Sequence, residues 1–156
     1  MNWLPPRPSR SPGKYLLALA LLAITVVSPA AETYWFTIIG DPTDPTVTTV
    51  LIDPTPILVK GSTRLMNLRV SRDKPRVSTD GVAFQSFQST VEFDCEKGAA
   101  RFTRAQFHDK PLWAGPGRSV DYPPSTVRPM LFRDIEPNPS QRIIKAACVT
   151  TGMNGR

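Results

Sequence analysis

Two cysteines, Cys95 and Cys148, constrain the fold of this 156-residue chain more than any other feature. The chain opens with an export pattern, and an exported protein with an even cysteine count is expected to bridge its thiols in an oxidising compartment. Each cysteine also ends a segment whose pattern faces a core. In the first, Phe87, Val91 and Phe93 fall on odd positions, with Gln88, Thr90, Glu92 and Asp94 between them. That period of two reads as a half-buried strand with Cys95 on its core side. Cys148 closes the segment PSQRIIKAAC, in which Ile144, Ala147 and Cys148 share one side at helical spacing. One bridge would thus tie a strand to a helix, and the chain-entropy relation gives a loop of this length about 4 kcal/mol of stabilisation. The competing reading, a redox or catalytic thiol, calls for CxxC spacing or a helix N-terminus beside a basic residue, and neither is present.

The export pattern lies in the first 30 residues. Arg7, Arg10 and Lys14 precede an uncharged, mostly apolar run from Tyr15 to Val27 (YLLALALLAITVV), and Ser28-Pro29-Ala30 supplies small residues before a cut. This reads as a secretory signal peptide over 1–30, with Ala31 as the alternative end. A membrane span needs about 20 apolar residues, more than this run provides. Residues 31–156 are then expected to form a single domain. Losing three basic residues and no acid lowers the formal net charge from +6 to +3, which removes the main argument for a nucleic-acid partner. No Cys precedes residue 95. The expectation is a periplasmic or secreted protein with no membrane anchor after signal cleavage.

Downstream, the pattern is that of an antiparallel sheet. Six strands are expected: Thr33 to Ile39, Val47 to Ile52, Ile57 to Lys60, Arg64 to Val70, Phe84 to Cys95 and Ala100 to Phe107. Glu96-Lys97-Gly98 reads as the turn of a hairpin joining the last two, which should be the centre of the sheet. Ser71 to Thr79 (SRDKPRVST) is polar and basic and reads as a loop. Residues 109–128 hold four prolines and two glycines without a period, and read as a long loop or extended crossing. The C-terminal helix has a marked start: Asn138 can cap, Pro139 takes the first helical position, Gln141 is placed for a return contact, and Gly152 is a stop. The fold class is α+β, an antiparallel sheet packed by a C-terminal helix with one disulfide.

Few residues carry chemistry. There is no HExxH, GxSxG, GxGxxG or phosphate-binding loop and no Cys/His cluster at zinc spacing, so neither a metal site nor catalytic residues are expected. His108-Asp109 is the one adjacent His and acid pair. Without a nucleophile it reads as an exposed histidine at a strand end, and as an axial haem ligand, a role open also to Tyr34 or Tyr122, it is weakly supported. The basic segment supplies Arg69, Arg72, Lys74 and Arg76 as candidate partner-binding residues for an acidic glycan or protein surface, against the plainer reading of a solvated loop. Trp113 and Tyr122, between Gly and Pro, are candidate aromatic anchors for a partner, against the alternative that they pack on the sheet.

The stretch SFQSTVEFDCEKGAARF, paired with a distal FRDIEPNPSQRIIKAAC, resembles the bacterial surface-adhesin protein E family over roughly residues 33–149. The elements that carry the resemblance are Glu92, Asp94 and Cys95, then Phe132, Ile135, Pro137, Ser140 and Cys148. It implies an antiparallel sheet packed by a C-terminal helix and tied to it by the disulfide. It also implies attachment to host matrix or plasma proteins, with haem binding and dimerisation among the properties ascribed to the family. This chain departs from the founding lipoproteins in lacking a lipobox Cys.

The functional expectation is an exported, non-enzymatic binding module that engages a protein or glycan, without a cofactor and with a homodimer as a candidate state. The alternatives are a periplasmic structural or accessory domain, and a carrier of haem or another small ligand.

Overall fold

A computed structural model describes residues 34–149. The signal-peptide reading of 1–30 and the stop at Gly152 lie outside the described residues. Among these, eight strands form one antiparallel sheet: β1 (Phe36–Ile39), β2 (Thr49–Ile52), β3 (Leu58–Lys60), β4 (Thr63–Val77), β5 (Ala83–Asp94), β6 (Ala99–His108), β7 (Gly117–Asp121) and β8 (Arg128–Pro129). The order is β1-β2-β4-β5-β6-β7, with β3 also pairing β4 and β8 also pairing β6. A single helix, α1 (Ser140–Val149), follows.

The β5–β6 hairpin forms as the alternation requires, with Asp94 opposite Ala99 and the Lys97 amide donating to the Asp94 carboxylate at 3.1 Å. The longest pairing in the sheet is between β4 and β5. On one face, Val50 and Ile52 of β2, Met66, Leu68 and Val70 of β4, and Phe87, Val91 and Phe93 of β5 are buried with Ile143, Ile144 and Ala147 of α1. Burial of this apolar face is the main driving force for the layer arrangement. The helix starts where the sequence places it. Asn138 accepts the Ser140 amide at 2.9 Å, Pro139 opens the first turn, and the Ser140 hydroxyl accepts the Phe132 amide at 3.1 Å. Cys95 and Cys148 are bridged, with Cα atoms 5.6 Å apart.

Two expectations fail because the strands concerned carry no period-two apolar pattern. The basic segment is not a loop: β4 continues through it to Val77. The register jumps from Ser71 opposite Ser86 to Arg76 opposite Phe84, so residues 72–75 bulge out. Pro75, which has no amide to donate, fits such a bulge. The second case is 109–128, which contains the short helical turn Pro111–Trp113 and the strand β7 against β6. Gly40 illustrates how tight the turns are. Its φ is +81°, and a Cβ there would sit 2.4 Å from the Thr48 carbonyl oxygen.

Candidate functional site

The bulge and the turn after it shape a cleft on the helix-bearing face of the sheet. Its volume is about 360 Å³, and Phe84, Phe87, Phe102, Phe107 and Phe132 lie among its lining residues. These rings form a continuous chain: Phe84 lies 5.1 Å from Phe107 and 5.6 Å from Phe87, Phe87 lies 5.9 Å from Phe102, and Phe102 lies 6.5 Å from Phe132. Strict alternation would put Phe84 on the opposite face from Phe87, so its contribution is a product of the irregular register beside it. Val77 and Leu131, both exposed, extend the apolar lining toward solvent.

Three arginines line the same cleft. Arg72 is 4% exposed and pairs with Asp134 at 2.6 Å. Burial pushes its guanidinium pKa down and the Asp134 charge opposes that, so the group stays a cation. Arg76 meets Asp73 only at 3.5 Å. Arg128 pairs with Asp80, which also accepts the Tyr122 hydroxyl at 2.7 Å, and its guanidinium lies 5.6 Å from the Tyr122 ring centre. Burial and the bond to Asp80 push the Tyr122 phenol up to about 12. The Nε atoms of Arg72, Arg76 and Arg128 are all buried without a hydrogen-bond partner. A buried donor left in that state is unfavourable by about 1–3 kcal/mol. Three arginines against Asp80 and Asp134 leave the lining with an excess positive charge.

The candidate residues named from the sequence separate accordingly. Arg72, Arg76 and Tyr122 come together in the cleft, and Lys74 is exposed on the bulge. Arg69 and Trp113 lie on the other face. There the Arg69 guanidinium sits 4.2 Å from the Trp35 ring centre and 5.3 Å from that of Trp113. The Trp113 indole donates to the Phe87 carbonyl at 3.1 Å, and its backbone amide to the Ser86 hydroxyl at 2.9 Å. Sequence reasoning missed Asp80, Arg128 and the five phenylalanines. Phe84, Phe87, Phe102 and Phe107 were visible as strand residues and Phe132 as an element of the family resemblance, but their convergence depends on the bulge and on the return of the chain through Phe132.

His108 is a correction. It is 5% exposed rather than open to solvent, and its Nδ1 lies 3.1 Å from the Gly115 carbonyl. A carbonyl only accepts, so the proton sits on Nδ1. Asp109 beside it is exposed, so no buried His–acid pair forms. Among the described residues, no group of three His, Cys, Asp or Glu is placed to hold a metal ion, and no helix is long and apolar enough to cross a membrane.

The sheet, the cleft and the bridged helix lie within a segment, residues 35–149, that matches the family model described as surface-adhesin protein E. The chain belongs to the surface-adhesin protein E family. The match begins at Trp35 and ends at Val149, so it takes in every strand and the helix to its last residue. The residues that carried the resemblance hold structural positions. Phe132 and Ile135 are buried, Ser140 braces Phe132, and Cys148 is bridged to Cys95. No curated protein and no solved structure matches the chain.

Proposed function

We propose that this member of the surface-adhesin protein E family is exported by cleavage of residues 1–30, acts as a non-catalytic binding module, and holds its partner in the phenylalanine-lined cleft. The observation that carries this reading is that three arginines, Arg72, Arg76 and Arg128, line one cleft with five phenylalanine rings. Aromatic side chains and arginine dominate protein-interface energetics, and a desolvated pocket is where they act most strongly. The chemistry fits an acidic segment of a protein that also offers an apolar side chain. The apolar group enters among the rings, and the carboxylate meets the arginines in a bidentate geometry that lysine cannot reproduce.

Carriage of a small ligand draws on the same cleft, whose volume of about 360 Å³ lies within the range of small-molecule sites. The two readings separate by partner size. The test is binding of the processed protein to immobilised matrix and plasma proteins, with Arg76→Glu and Leu131→Asp as variants. Both sites are open enough to solvent that thermal stability should hold. The reading expects at least one protein to be captured, and each variant to weaken that capture about tenfold or more, a change of about 1.4 kcal/mol. Capture that both variants leave unchanged, or no capture at all, would overturn the assignment of the cleft.

A further inference from the structure

The opposite face of the sheet carries a second groove, with different chemistry. The register sets Arg69, Gln88 and Gln106 on one rung across β4, β5 and β6, and Asn67, Thr90 and Arg104 on the next. Asp53 stands beside Asn67, to whose carbonyl its amide donates at 3.0 Å. These positions alternate with the buried residues Leu68, Ser89 and Ala105, so their side chains project away from the core. With Trp35 they line a groove of about 360 Å³ that crosses β4, β5 and β6, about 10 Å at ordinary strand spacing, with Trp35 and Asp53 just beyond the ends of β1 and β2.

The lining is polar and partly engaged, with the Asp53 carboxylate accepting the Thr55 amide at 2.9 Å. Asn67, Gln88 and Gln106 each bring an amide that both donates and accepts. Gln88 uses its oxygen to accept Arg69 Nε at 2.8 Å and keeps its NH₂. The side chains of Asn67 and Gln106 have no hydrogen-bond partner among the described residues. Arg69, stacked between Trp35 and Trp113 and bonded to Gln88, is held in place rather than free to sweep. Such fixed polar groups lose little entropy on binding.

A ligand suited to this face needs many groups that both donate and accept, and one apolar side for Trp35. A peptide would seek an open strand edge or apolar pockets, which this rung pair lacks. A nucleic acid would seek excess positive charge. Here Arg69 and Arg104 face Asp53 and Asp121, the last 3.6 Å from Arg104. Sugar rings meet the requirement: their hydroxyls donate and accept, and their C–H faces pack on indole.

We propose that this groove binds a neutral oligosaccharide, one pyranose ring packed against Trp35 and the hydroxyls of its neighbours bridging Asp53, Asn67, Gln88 and Gln106. The site is independent of the cleft and of what the cleft binds.

The test is titration of the ¹⁵N-labelled processed protein with maltohexaose, cellohexaose and chitohexaose, and with trigalacturonate as the charged arm. The readout is the side-chain amide signals of Asn67, Gln88 and Gln106 and the Trp35 indole signal. At least one neutral hexaose should shift them saturably, and Gln88→Ala and Asn67→Ala, both folded by thermal melt, should each weaken binding about tenfold while Arg76→Glu has no effect. Absence of saturable shifts with all three neutral sugars would overturn the proposal. So would binding that both variants leave unchanged, or a response to trigalacturonate alone.

Discussion

Removing the bridge by the double substitution Cys95→Ser and Cys148→Ser tests how much of this fold is held by covalent constraint. The cysteines are 53 residues apart, and for a loop of that length the chain-entropy relation gives a loss of about 14 cal/mol/K, or about 4 kcal/mol at 25 °C. Packing losses should add little, because both cysteines are only half-buried and serine is nearly isosteric. Against a typical domain stability of about 5–15 kcal/mol this is a large share. Urea unfolding followed by tryptophan fluorescence is the assay. With a slope of about 2 kcal/mol/M, the midpoint should fall by about 2 M. Unmodified protein unfolded under reductant should fall by the same amount, since both samples lack the loop constraint. A loss below about 1 kcal/mol would refute the reasoning, as would agreement in midpoint between the reduced and oxidised forms of the unmodified protein.

Other perturbations probe separate parts of the structure. Gly40→Ala should destabilise by about 2 kcal/mol or more, because it combines a left-handed backbone with a Cβ 2.4 Å from a carbonyl oxygen; chemical denaturation reads it directly. Ser86, fully buried, donates to the Lys110 carbonyl at 2.6 Å and accepts the Trp113 amide at 2.9 Å, so Ser86→Ala should release the 110–113 turn, destabilise by about 2 kcal/mol and raise hydrogen exchange there. Tyr122 supplies a pH dependence. Its folded pKa of about 12 exceeds the ordinary 10.0, so the neutral phenol is favoured in the fold. The stabilisation is present in full below pH 10 and is lost as pH rises toward 12. Stability of the unmodified protein should therefore drop across that window more steeply than that of Tyr122→Phe, and phenolate absorbance should show one late-titrating tyrosine.

The sheet-and-helix architecture was legible wherever one element obeys one period. The alternation through Phe87, Val91 and Phe93 fixed the buried face of β5, and Asn138-Pro139 marked the helix start. Reading Arg72, Lys74 and Arg76 as a loop failed because a bulge puts charged side chains where alternation would place apolar ones. The cluster also splits by alternation along β4: Arg72 and Arg76 reach the cleft, while Arg69 reaches the other face. The strand β7 was hidden because Gly117 to Asp121 is mostly exposed and carries no apolar stripe. Trp113 and Tyr122 shared one loop on paper, yet they serve opposite faces, which only the crossing of the chain past β6 decides. The phenylalanine chain needed tertiary information, since Phe84, Phe102 and Phe132 come from three separate segments.

The central claim is that the arginine donors beside the phenylalanine rings receive a carboxylate carried by an apolar segment. The most direct measurement is the set of Nε–H signals of the arginines in ¹⁵N-labelled protein during titration with the acetylated, amidated peptide Asp-Phe-Asp, with Lys-Phe-Lys as control. The account predicts saturable shifts at Arg72, Arg76 and Arg128, no response at Arg69 or Arg104 on the opposite face, and none to the basic peptide. Unmoved signals at the three cleft arginines, or equal responses to both peptides, would contradict it.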